Sequence, residues 1–248
     1  MQLHCLGSGG YFPNDHRHTS CYYVPDWAIV LDAGTGLFRL GKFALPDRID
    51  ILLSHVHLDH VFGLTTLLVI CHQHPDTEVH LWGEPDKLSA IDAHLLSESL
   101  FPVPLPVVRH PIQPGQTFGL PHVNVIARRQ DHPGGSLAFA IDDSQRRLVY
   151  ATDTTGDASE SFAQFAGSPD LLVHECYFKR EQSDLAKQTG HTDASRLAEV
   201  IGAVKPRQTL ITHVNPLGEQ SDPIDVDWIA SVTGGKLRLA TDQLQIEF

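Results

Sequence analysis

The sequence predicts one mixed α/β (α+β) domain, and three features of the chain support this prediction. Its 248 residues are 42% hydrophobic, which is enough to bury a substantial core. Short apolar runs that end in glycine or polar turns are typical of strands, and 49–53 is one example. Segments typical of helices stand between them, such as 193–204. No low-complexity tract or obvious repeat divides the predicted domain, 1–248.

The predicted elements follow one another in short segments. Residues 2–6 predict an opening strand that a glycine turn ends, and 22–31 predict a hairpin that turns at 25–26. The last apolar segments, 236–240 and 243–248, predict a closing hairpin. The remaining predicted elements are helices over 61–72, 84–96 and 193–204 and strands over 77–82, 107–110, 122–128, 136–141 and 148–151.

The composition argues against several classes of protein. Eighteen Lys and Arg residues against thirty Asp and Glu residues give a formal net charge of −12, and an acidic surface repels a long nucleic acid. No apolar run approaches the roughly 20 residues that cross a bilayer, and the N-terminal residues lack the pattern of a signal peptide. The four cysteines show no C-x-x-C spacing, which fits a reducing compartment. We therefore expect a cytoplasmic protein that acts on a small molecule and has no membrane partner.

The most informative stretch is His55-x-His57-x-Asp59-His60, which follows the predicted strand 49–53. His55 and His57 alternate on an extended segment, so their rings project from the same side. Asp59 and His60 stand at the turn into the next helix and would face a second point a few ångströms away. Two neighbouring metal ions need such a split set of ligands. The plain alternative is a polar loop whose histidines cap the following helix.

The pattern H-x-H-x-D-H resembles the signature of the metallo-β-lactamase superfamily. The L-G-x-G-G turn at 6–10, the D-x-G-x-G run at 32–36 and the G-L pair at 63–64 are similar to the RNase Z-type branch. The resemblance implies a four-layer αβ/βα sandwich, in which two mixed β-sheets are flanked by helices and metal ions lie at one edge. It covers most of the chain by motif order, but it is specific only at the metal site and at a later G-H-T element.

Three residues further along the chain complete the expected metal site. His132 lies in a loop before the predicted strand 136–141, and Asp153 and His213 each end an apolar strand. The carboxyl ends of strands favour ligand sites in sheets flanked by helices, although any one of these residues taken singly would more commonly be structural. The resemblance implies that one metal is held by His55, His57 and His132, the other by Asp59, His60 and His213, with Asp153 between them.

The resemblance also implies what these ligands do. Nitrogen and oxygen donors without thiolate suit two divalent ions, with zinc preferred and manganese or iron as alternatives. Two ions about 3.5–4 Å apart share a water and lower its pKa toward neutrality, which provides a metal-bound hydroxide for hydrolysis. Asp59 has a second expected role as acceptor of the attacking water's proton. Asp32 is expected either to brace a metal ligand from behind or simply to cap its turn.

Two later elements indicate the branch. The G-H-T run at 190–192 resembles the G-H-S/T element of RNase Z-like phosphodiesterases, and the V-H-E-C run at 173–176 resembles their H-E-A element. In those relatives the histidine binds no metal and serves phosphodiester cleavage. The resemblance therefore implies that His191 holds a phosphate oxygen or protonates the leaving alkoxide, and that Glu175 orients it. The alternative for His191 is a residue of the loop that caps the next helix.

The spacing between His132 and Asp153 bears on the substrate. RNase Z carries a long tRNA-gripping arm between the corresponding residues, whereas here the two are 21 positions apart and two short strands fill the interval. Together with the charge, this favours a metal-dependent hydrolase of a small phosphodiester, such as a cyclic nucleotide or a cyclic sugar phosphate. The alternatives are a lactone or thioester hydrolase with His191 idle, an RNase Z-like endoribonuclease without the arm, and a non-enzymatic role of the PqqB type. Many relatives form dimers, so a homodimer remains open.

Overall fold

A computed structural model describes residues 1–218 and 222–248. These residues divide into two compact units, Met1–Gln113 with Thr241–Glu247, and Pro114–Ala240 with Phe248. Each unit is built on one mixed seven-stranded sheet, and helices pack on each sheet. The predicted class, with two mixed sheets flanked by helices, is confirmed. The single-domain organisation stays a prediction.

The sheet of the first unit combines antiparallel and parallel strands. Its strands are β1 (Gln2–Gly7), β2 (Cys21–Val24), β3 (Ile29–Leu31), β4 (Arg48–Leu52), β5 (Glu78–Gly83), β6 (Val107–Pro111) and β14 (Gln245–Glu247). Their spatial order is β14-β1-β2-β3-β4-β5-β6. Pairing is antiparallel from β14 to β3 and parallel from β3 to β6. The H-x-H-x-D-H motif follows β4, in the parallel half, where strand ends commonly carry ligand sites.

Short helices cover this sheet with apolar side chains, among them Leu67, Ile70 and Leu88. The helices are α1 (Leu58–Val61), α2 (Leu67–Gln73) and α3 (Pro85–Ala90), with 3₁₀ turns at Pro25–Trp27, Thr35–Lys42 and Phe62–Thr66 and a π-helical turn at Ile91–Leu95.

The helix predicted over 61–72 is interrupted, and Gly63 shows why. Its N–H donates to the Ala33 carbonyl at 2.8 Å instead of to a carbonyl of its own helix. A Cβ on Gly63 would lie 2.0 Å from the Gly34 carbonyl oxygen, so only glycine permits this approach. The contact ties the segment after the motif to the turn that follows β3.

The second unit has the same kind of mixed sheet. Its strands are β7 (Thr117–Gly119), β8 (Asn124–Gln130), β9 (Ser136–Asp142), β10 (Arg147–Ala151), β11 (Leu171–Glu175), β12 (Gln208–Thr212) and β13 (Leu237–Leu239). Their order is β13-β12-β11-β10-β9-β8-β7, with β10 to β13 parallel and the rest antiparallel. Its helices are α4 (Glu160–Ala166), α5 (Ser183–Thr189), α6 (Ala194–Val204) and α7 (Val226–Thr233).

The predicted closing hairpin over 236–248 is wrong. β13 pairs in parallel with β12 in the second unit, whereas β14 pairs antiparallel with β1 in the first. The N–H of Ala240 donates to Ile211, and the N–H of Gln243 donates to Cys5, both at 2.7 Å. The two strands therefore extend different sheets, because each three-residue segment gains more from an existing sheet edge than from its neighbour in sequence.

Two smaller observations concern the expected surroundings of the protein. All four cysteines are free thiols. Across the described ranges, no helix is both long and apolar enough to cross a membrane.

Candidate metal centre

In the first unit, the H-x-H-x-D-H motif forms a tight group of rings. The His55 ring lies 4.5 Å from the His57 ring and 4.3 Å from the His60 ring, measured between centroids. His57 is the residue before α1, and its carbonyl accepts the N–H of His60 at 2.9 Å. Asp59 points into the same group, since its Oδ2 lies 3.4 Å from His60 Nε2. The motif thus brings its four candidate ligands together on one short turn.

Asp32 holds two of these histidines from behind. Its fully buried carboxylate accepts a hydrogen bond from His60 Nδ1 at 2.8 Å and from the Ser54 hydroxyl at 2.7 Å. The Ser54 oxygen in turn lies 3.1 Å from His55 Nδ1, where it can accept that proton. Asp32 therefore contacts a candidate ligand directly, as expected of a brace, and its role toward a bound metal stays a prediction. With Nδ1 engaged, His60 presents Nε2 as its lone-pair donor, which is how metal-binding histidines are oriented.

In the second unit, three candidate ligands meet at the ends of separate elements. Nε2 of His132 lies 3.6 Å from Asp153 Oδ1, and Nε2 of His213 lies 3.4 Å from Asp153 Oδ2. All three side chains are buried. These separations are longer than strong hydrogen bonds and suit donor atoms that share a cation. Asp153 is placed between the two histidines, as a bridging ligand would be.

The backbone of Gly190 orients His132. The Gly190 carbonyl lies 2.9 Å from His132 Nδ1, which therefore carries the proton and leaves Nε2 facing Asp153. Gly190 has φ = +78°, and a Cβ there would lie 2.2 Å from Pro133 Cδ. Glycine is required by both the conformation and the close packing. This places the G-H-T run directly behind a candidate ligand.

Asp32 and the candidate ligands of the first unit form one half-site, and His132, Asp153 and His213 form the other. Three of these residues have left-handed backbone conformations. Asp32, Asp153 and His213 have φ values of +55°, +50° and +53°. Such conformations are uncommon outside glycine and cost about 1–3 kcal/mol each. They persist where surrounding contacts hold them, and they cluster at functional sites. In each case a strand end is bent so that the side chain turns toward its neighbours in the half-site.

His191 lies beside the half-site of the second unit and is held by Glu175. Its Nδ1 is 3.1 Å from Glu175 Oε1 and 3.3 Å from Oε2. The Glu175 carboxylate is fully buried and also accepts the N–H groups of Thr154 and Thr192 at 2.7 and 3.3 Å. Glu175 therefore fixes which nitrogen of His191 is protonated and directs Nε2 outward. His191, Asp153 and His213 each offer one ligand atom within 4.8 Å of the others.

Sequence reasoning missed Tyr177. Its ring stacks on His191 with the centroids 4.6 Å apart and the planes at 17°, and it is also 5.5 Å from the His213 ring. An aromatic residue two positions after Glu175 carries no local signal for this contact. The stacking exists only because the G-H-T loop returns to the end of β11.

His174, the neighbour of Glu175, faces the interior. It is fully buried in β11, and burial lowers the pKa of its imidazole. Its Nδ1 contacts the Glu175 carbonyl at 2.7 Å. In the V-H-E-C run, the Glu175 side chain makes the hydrogen bonds to the G-H-T loop.

A cavity of about 430 Å³ opens next to His191 within the second unit. It contains both signs of charge, since Lys187 and Arg196 line it together with Asp131 and Glu199. Arg196 donates from Nε to the Gly156 carbonyl at 2.8 Å, which fixes the base of its guanidinium. A polar cavity of this kind suits a ligand with several hydrogen-bonding groups.

Comparisons with curated proteins connect this chain to known hydrolases. A model of the beta-lactamase superfamily domain matches residues 28–214. The chain is 26% identical over 229 residues to the probable metallo-hydrolase YhfI of Bacillus subtilis, an alignment that covers 88% of each protein. It is 23% identical over 276 residues to ribonuclease Z of Acaryochloris marina, covering 87% of this chain and 86% of that one.

Solved structures share the fold along the whole chain. The crystal structure of YhfI matches with a TM-score of 0.83 and 20% identity, covering 100% of this chain and 99% of that one. The human short-form tRNase Z matches with a TM-score of 0.79 and 21% identity over the same shares. The expected fold is confirmed, and so is the resemblance on which it was based. Because the domain match spans most of the sequence, the chain belongs to the metallo-β-lactamase superfamily, a superfamily of metal-dependent hydrolases.

Proposed function

We propose that this chain is a dinuclear metal-dependent phosphodiesterase that hydrolyses a small, in some cases cyclic, phosphodiester. The observation that carries the proposal is the pairing of His191 with the buried Glu175 beside Asp153 and His213. Metal ligands alone would serve the hydrolysis of many kinds of bond. The alkoxide that leaves a phosphodiester needs a proton, unlike the thiolate of a thioester, and an oriented imidazole outside the ligand set can supply it.

The metal ligands we propose follow the sequence expectation. One divalent ion would be held by His55, His57 and His132, the other by Asp59, His60 and His213, with Asp153 bridging. The donor chemistry fits, because Nδ1 of His60 and of His132 each donate a hydrogen bond, which leaves Nε2 of both rings unprotonated and able to bind a metal. Nitrogen and oxygen donors suit zinc, with manganese and iron as alternatives. When bound, such ions supply Lewis acidity toward the phosphoryl oxygen and a nucleophile at neutral pH.

The protein's own residues would then divide the proton transfers. Asp59 would accept a proton from the attacking water, and the backbone N–H of Tyr11, 2.7 Å from its Oδ2, orients it. His191 would donate a proton from Nε2 to the leaving oxygen. Glu175 would stabilise the protonated imidazole, since a buried carboxylate favours the positive charge, and Tyr177 would limit rotation of the ring. We therefore assign Asp59 and His191 as catalytic residues and Glu175 as the residue that positions His191.

The size of the substrate is inferred from the segment between His132 and Asp153. This interval contains only β9 and β10, joined by a tight turn in which the Asp143 N–H donates to the Arg146 carbonyl at 3.2 Å. No arm that could grip tRNA occurs in the described residues 132–153. With the net charge of −12, this favours a small substrate over a long nucleic acid. An endoribonuclease without the arm is the weaker candidate.

The surroundings of the enzyme are also a proposal. Four free thiols support a reducing, cytoplasmic location. The homodimer stays a prediction.

The test of the proposed function is His191→Ala, assayed on a cyclic phosphodiester whose alkoxide leaving group needs a proton. Bis-p-nitrophenyl phosphate, whose leaving group needs none, is assayed for comparison, and the bound metal is measured on the same sample. We expect the activity to fall on the order of 10²-fold or more, as for loss of a general acid, while the metal content stays at the wild-type level. Lys205→Ala, an exposed change at the end of α6, is the control. Unchanged phosphodiesterase turnover would remove the role of His191, and activity on lactones or thioesters alone would favour the alternative hydrolase. If the fully metal-loaded protein hydrolysed none of these substrates, a non-enzymatic role would be favoured.

A further inference from the structure

Residues 8–18, which join β1 to β2 in the first unit, form a closed loop, referred to below as the 8–18 loop. Its ends lie together, since the Gly9 N–H donates to the His18 carbonyl at 2.9 Å. Asn14 closes the loop from within, because its N–H donates to the Arg17 carbonyl at 3.0 Å and its Oδ1 accepts the Arg17 N–H at 2.9 Å. Compact loops whose ends are close together are frequently functional.

Tyr11, in the 8–18 loop, contacts the candidate ligand Asp59 through its backbone. Its N–H donates to Asp59 Oδ2 at 2.7 Å. The backbone is sharply bent at this point, since the Phe12 N–H donates to the Gly10 carbonyl at 2.8 Å and Tyr11 has φ = +63°. A hydrogen bond that spans one residue of positive φ defines the rare and strained form of the γ-turn. Such strain persists only where surrounding contacts hold it, so the turn needs an anchor elsewhere in the loop.

The anchor is Asp242, which lies between β13 and β14 near the other end of the chain. Its Oδ1 accepts the N–H and the hydroxyl of Ser8 at 3.0 and 2.8 Å, and its Oδ2 accepts the N–H of His18 at 2.8 Å. Ser8 and His18 are the first and last residues of the 8–18 loop. The Asp242 side chain is only 7% exposed. One carboxylate shielded from water therefore holds both ends of the loop.

Asp242 is itself held firmly. The Arg39 guanidinium pairs with Asp242 Oδ2 at 2.5 Å, which compensates the cost of burying the carboxylate charge. The residues after Asp242 are fixed to β1, because the Gln243 N–H donates to the Cys5 carbonyl at 2.7 Å and the Cys5 N–H donates to the Leu244 carbonyl at 2.9 Å. The carboxylate is thus part of the sheet that also carries the histidine motif.

We propose that Asp242 is a positioning residue of the candidate metal site. By closing the 8–18 loop it keeps the Tyr11 N–H directed at Asp59, and this hydrogen bond fixes the orientation of the Asp59 carboxylate. The inference rests on the proposed function, because Asp59 is a proposed metal ligand. Carboxylates that bind metals are oriented by hydrogen bonds from surrounding groups, and losing such a group costs roughly 10- to 100-fold in metal affinity.

Hydrogen exchange on the metal-loaded protein measures the positioning directly. In Asp242→Ala the Tyr11 amide should lose its protection, because the loop can open locally, while the amides of β4 should keep theirs. Asp170→Ala is the matched control, since this carboxylate, 15% exposed, also accepts a backbone N–H, from Arg147, and pairs with Arg207, but lies in the second unit. The control should leave the Tyr11 amide protected. A Tyr11 amide that stays protected in Asp242→Ala, or loses protection in the control, would overturn the proposal.

Competition between the protein and a chelator for zinc measures the consequence at the metal site. Asp242→Ala should lower the zinc affinity roughly 10-fold, the lower end of the range for groups around a ligand, and Asp170→Ala should keep it. When Asp59 is already alanine, Asp242→Ala should cause almost no further loss, since both changes act at one carboxylate. Asp242→Asn keeps one oxygen acceptor and should lie between the wild-type protein and Asp242→Ala in both measurements. Unchanged affinity in Asp242→Ala, or additive losses with Asp59→Ala, would overturn the proposal.

Neither measurement depends on turnover, so this inference and the proposed function can fail separately. A protein that hydrolyses no phosphodiester but shows the expected losses in Asp242→Ala would overturn the proposed function and keep the role of Asp242. An active phosphodiesterase whose zinc affinity is insensitive to Asp242→Ala would overturn the role of Asp242 and keep the proposed function.

Discussion

The two halves of the proposed metal centre are built in opposite ways. In the first unit, four candidate ligands come from the six residues 55–60, and a buried side chain, Asp32, braces them. In the second unit, three candidate ligands come from three separate loops between residues 132 and 213. There a backbone carbonyl, that of Gly190, does the bracing. The first half depends on local sequence, whereas the second depends on the whole sheet being in place.

The cavities of the two units differ in the polarity of their lining. The cavity beside the histidine motif is apolar, and the one beside His191 contains charges of both signs.

The largest effect is expected from the residue shared by both proposed ions. Asp153→Ala should lower the activity by roughly 10³-fold, because each cation contributes several kcal/mol to the transition state. Metal analysis should show less than the full complement. Asp227→Ala, an exposed change on α7, is the control and should keep both values. Full metal content and activity in Asp153→Ala would refute the bridging position.

The second effect tests the side-chain brace of the first unit. Asp32→Ala removes the acceptor of His60 Nδ1 and of Ser54, and changes of this kind cost 10- to 100-fold in metal affinity. It should also destabilise the fold by about 1–3 kcal/mol through the buried donors that lose their partner. Competition with a chelator and urea denaturation measure the two quantities.

Asp32→Asn separates these two contributions. It keeps an amide oxygen and tolerates the left-handed backbone, so it should recover more of the stability than of the metal affinity. Asp47→Asn, on the exposed loop before β4, serves as control. Equal metal affinity in the wild-type protein, Asp32→Ala and Asp32→Asn, measured by competition with a chelator, would show that Asp32 does not act through the ligands.

The third effect concerns the hydrogen-bonded pair of Glu175 and His191. Glu175→Gln should lower kcat roughly 10-fold and leave the metal content unchanged, because Glu175 acts through the imidazole. When His191 is already alanine, the same change should have almost no further effect, since residues that act together are not additive. Steady-state kinetics on the two single variants and the double variant measure this coupling. Additive losses would assign Glu175 a purely structural role.

The smallest effect is expected at Tyr177. Tyr177→Leu removes the ring stacked on His191, and such contacts contribute about 0.5–1.5 kcal/mol, which corresponds to roughly 2- to 12-fold in kcat. Tyr177→Phe retains the ring and should recover most of that loss. An equal loss in both variants would show that the hydroxyl, and not the stacking, is what matters.

The sequence predictions were accurate where the interacting residues are close in the chain and wrong where the partners are distant. The strand before His55 and the convergence of the 55–60 motif were predictable, because alternation and the turn into a helix place these side chains within one short segment. The continuous helix over 61–72 and the closing hairpin were wrong. Both depended on partners distant in the chain, namely the carbonyl of Ala33 and two different sheet edges.

Some features of the site had no counterpart in the sequence. The left-handed conformations of Asp153 and His213, the stacking of Tyr177 on His191 and the carbonyl of Gly190 behind His132 arise from loops brought together by β10 to β12. The residue types at these positions do not by themselves predict these conformations and contacts. Only the family resemblance indicated which strand ends carry candidate ligands.

The sequence by itself determined which nitrogen and oxygen donors are available to the candidate metal site. It also determined the superfamily, through the order of those donors along the chain. The tertiary structure decided which atom of each imidazole is presented, which carboxylate is buried behind it, and where an apolar cavity meets the ligand-bearing turn. The physical reason is that hydrogen-bond direction and burial are properties of packed neighbours, and those neighbours lie far apart in the chain.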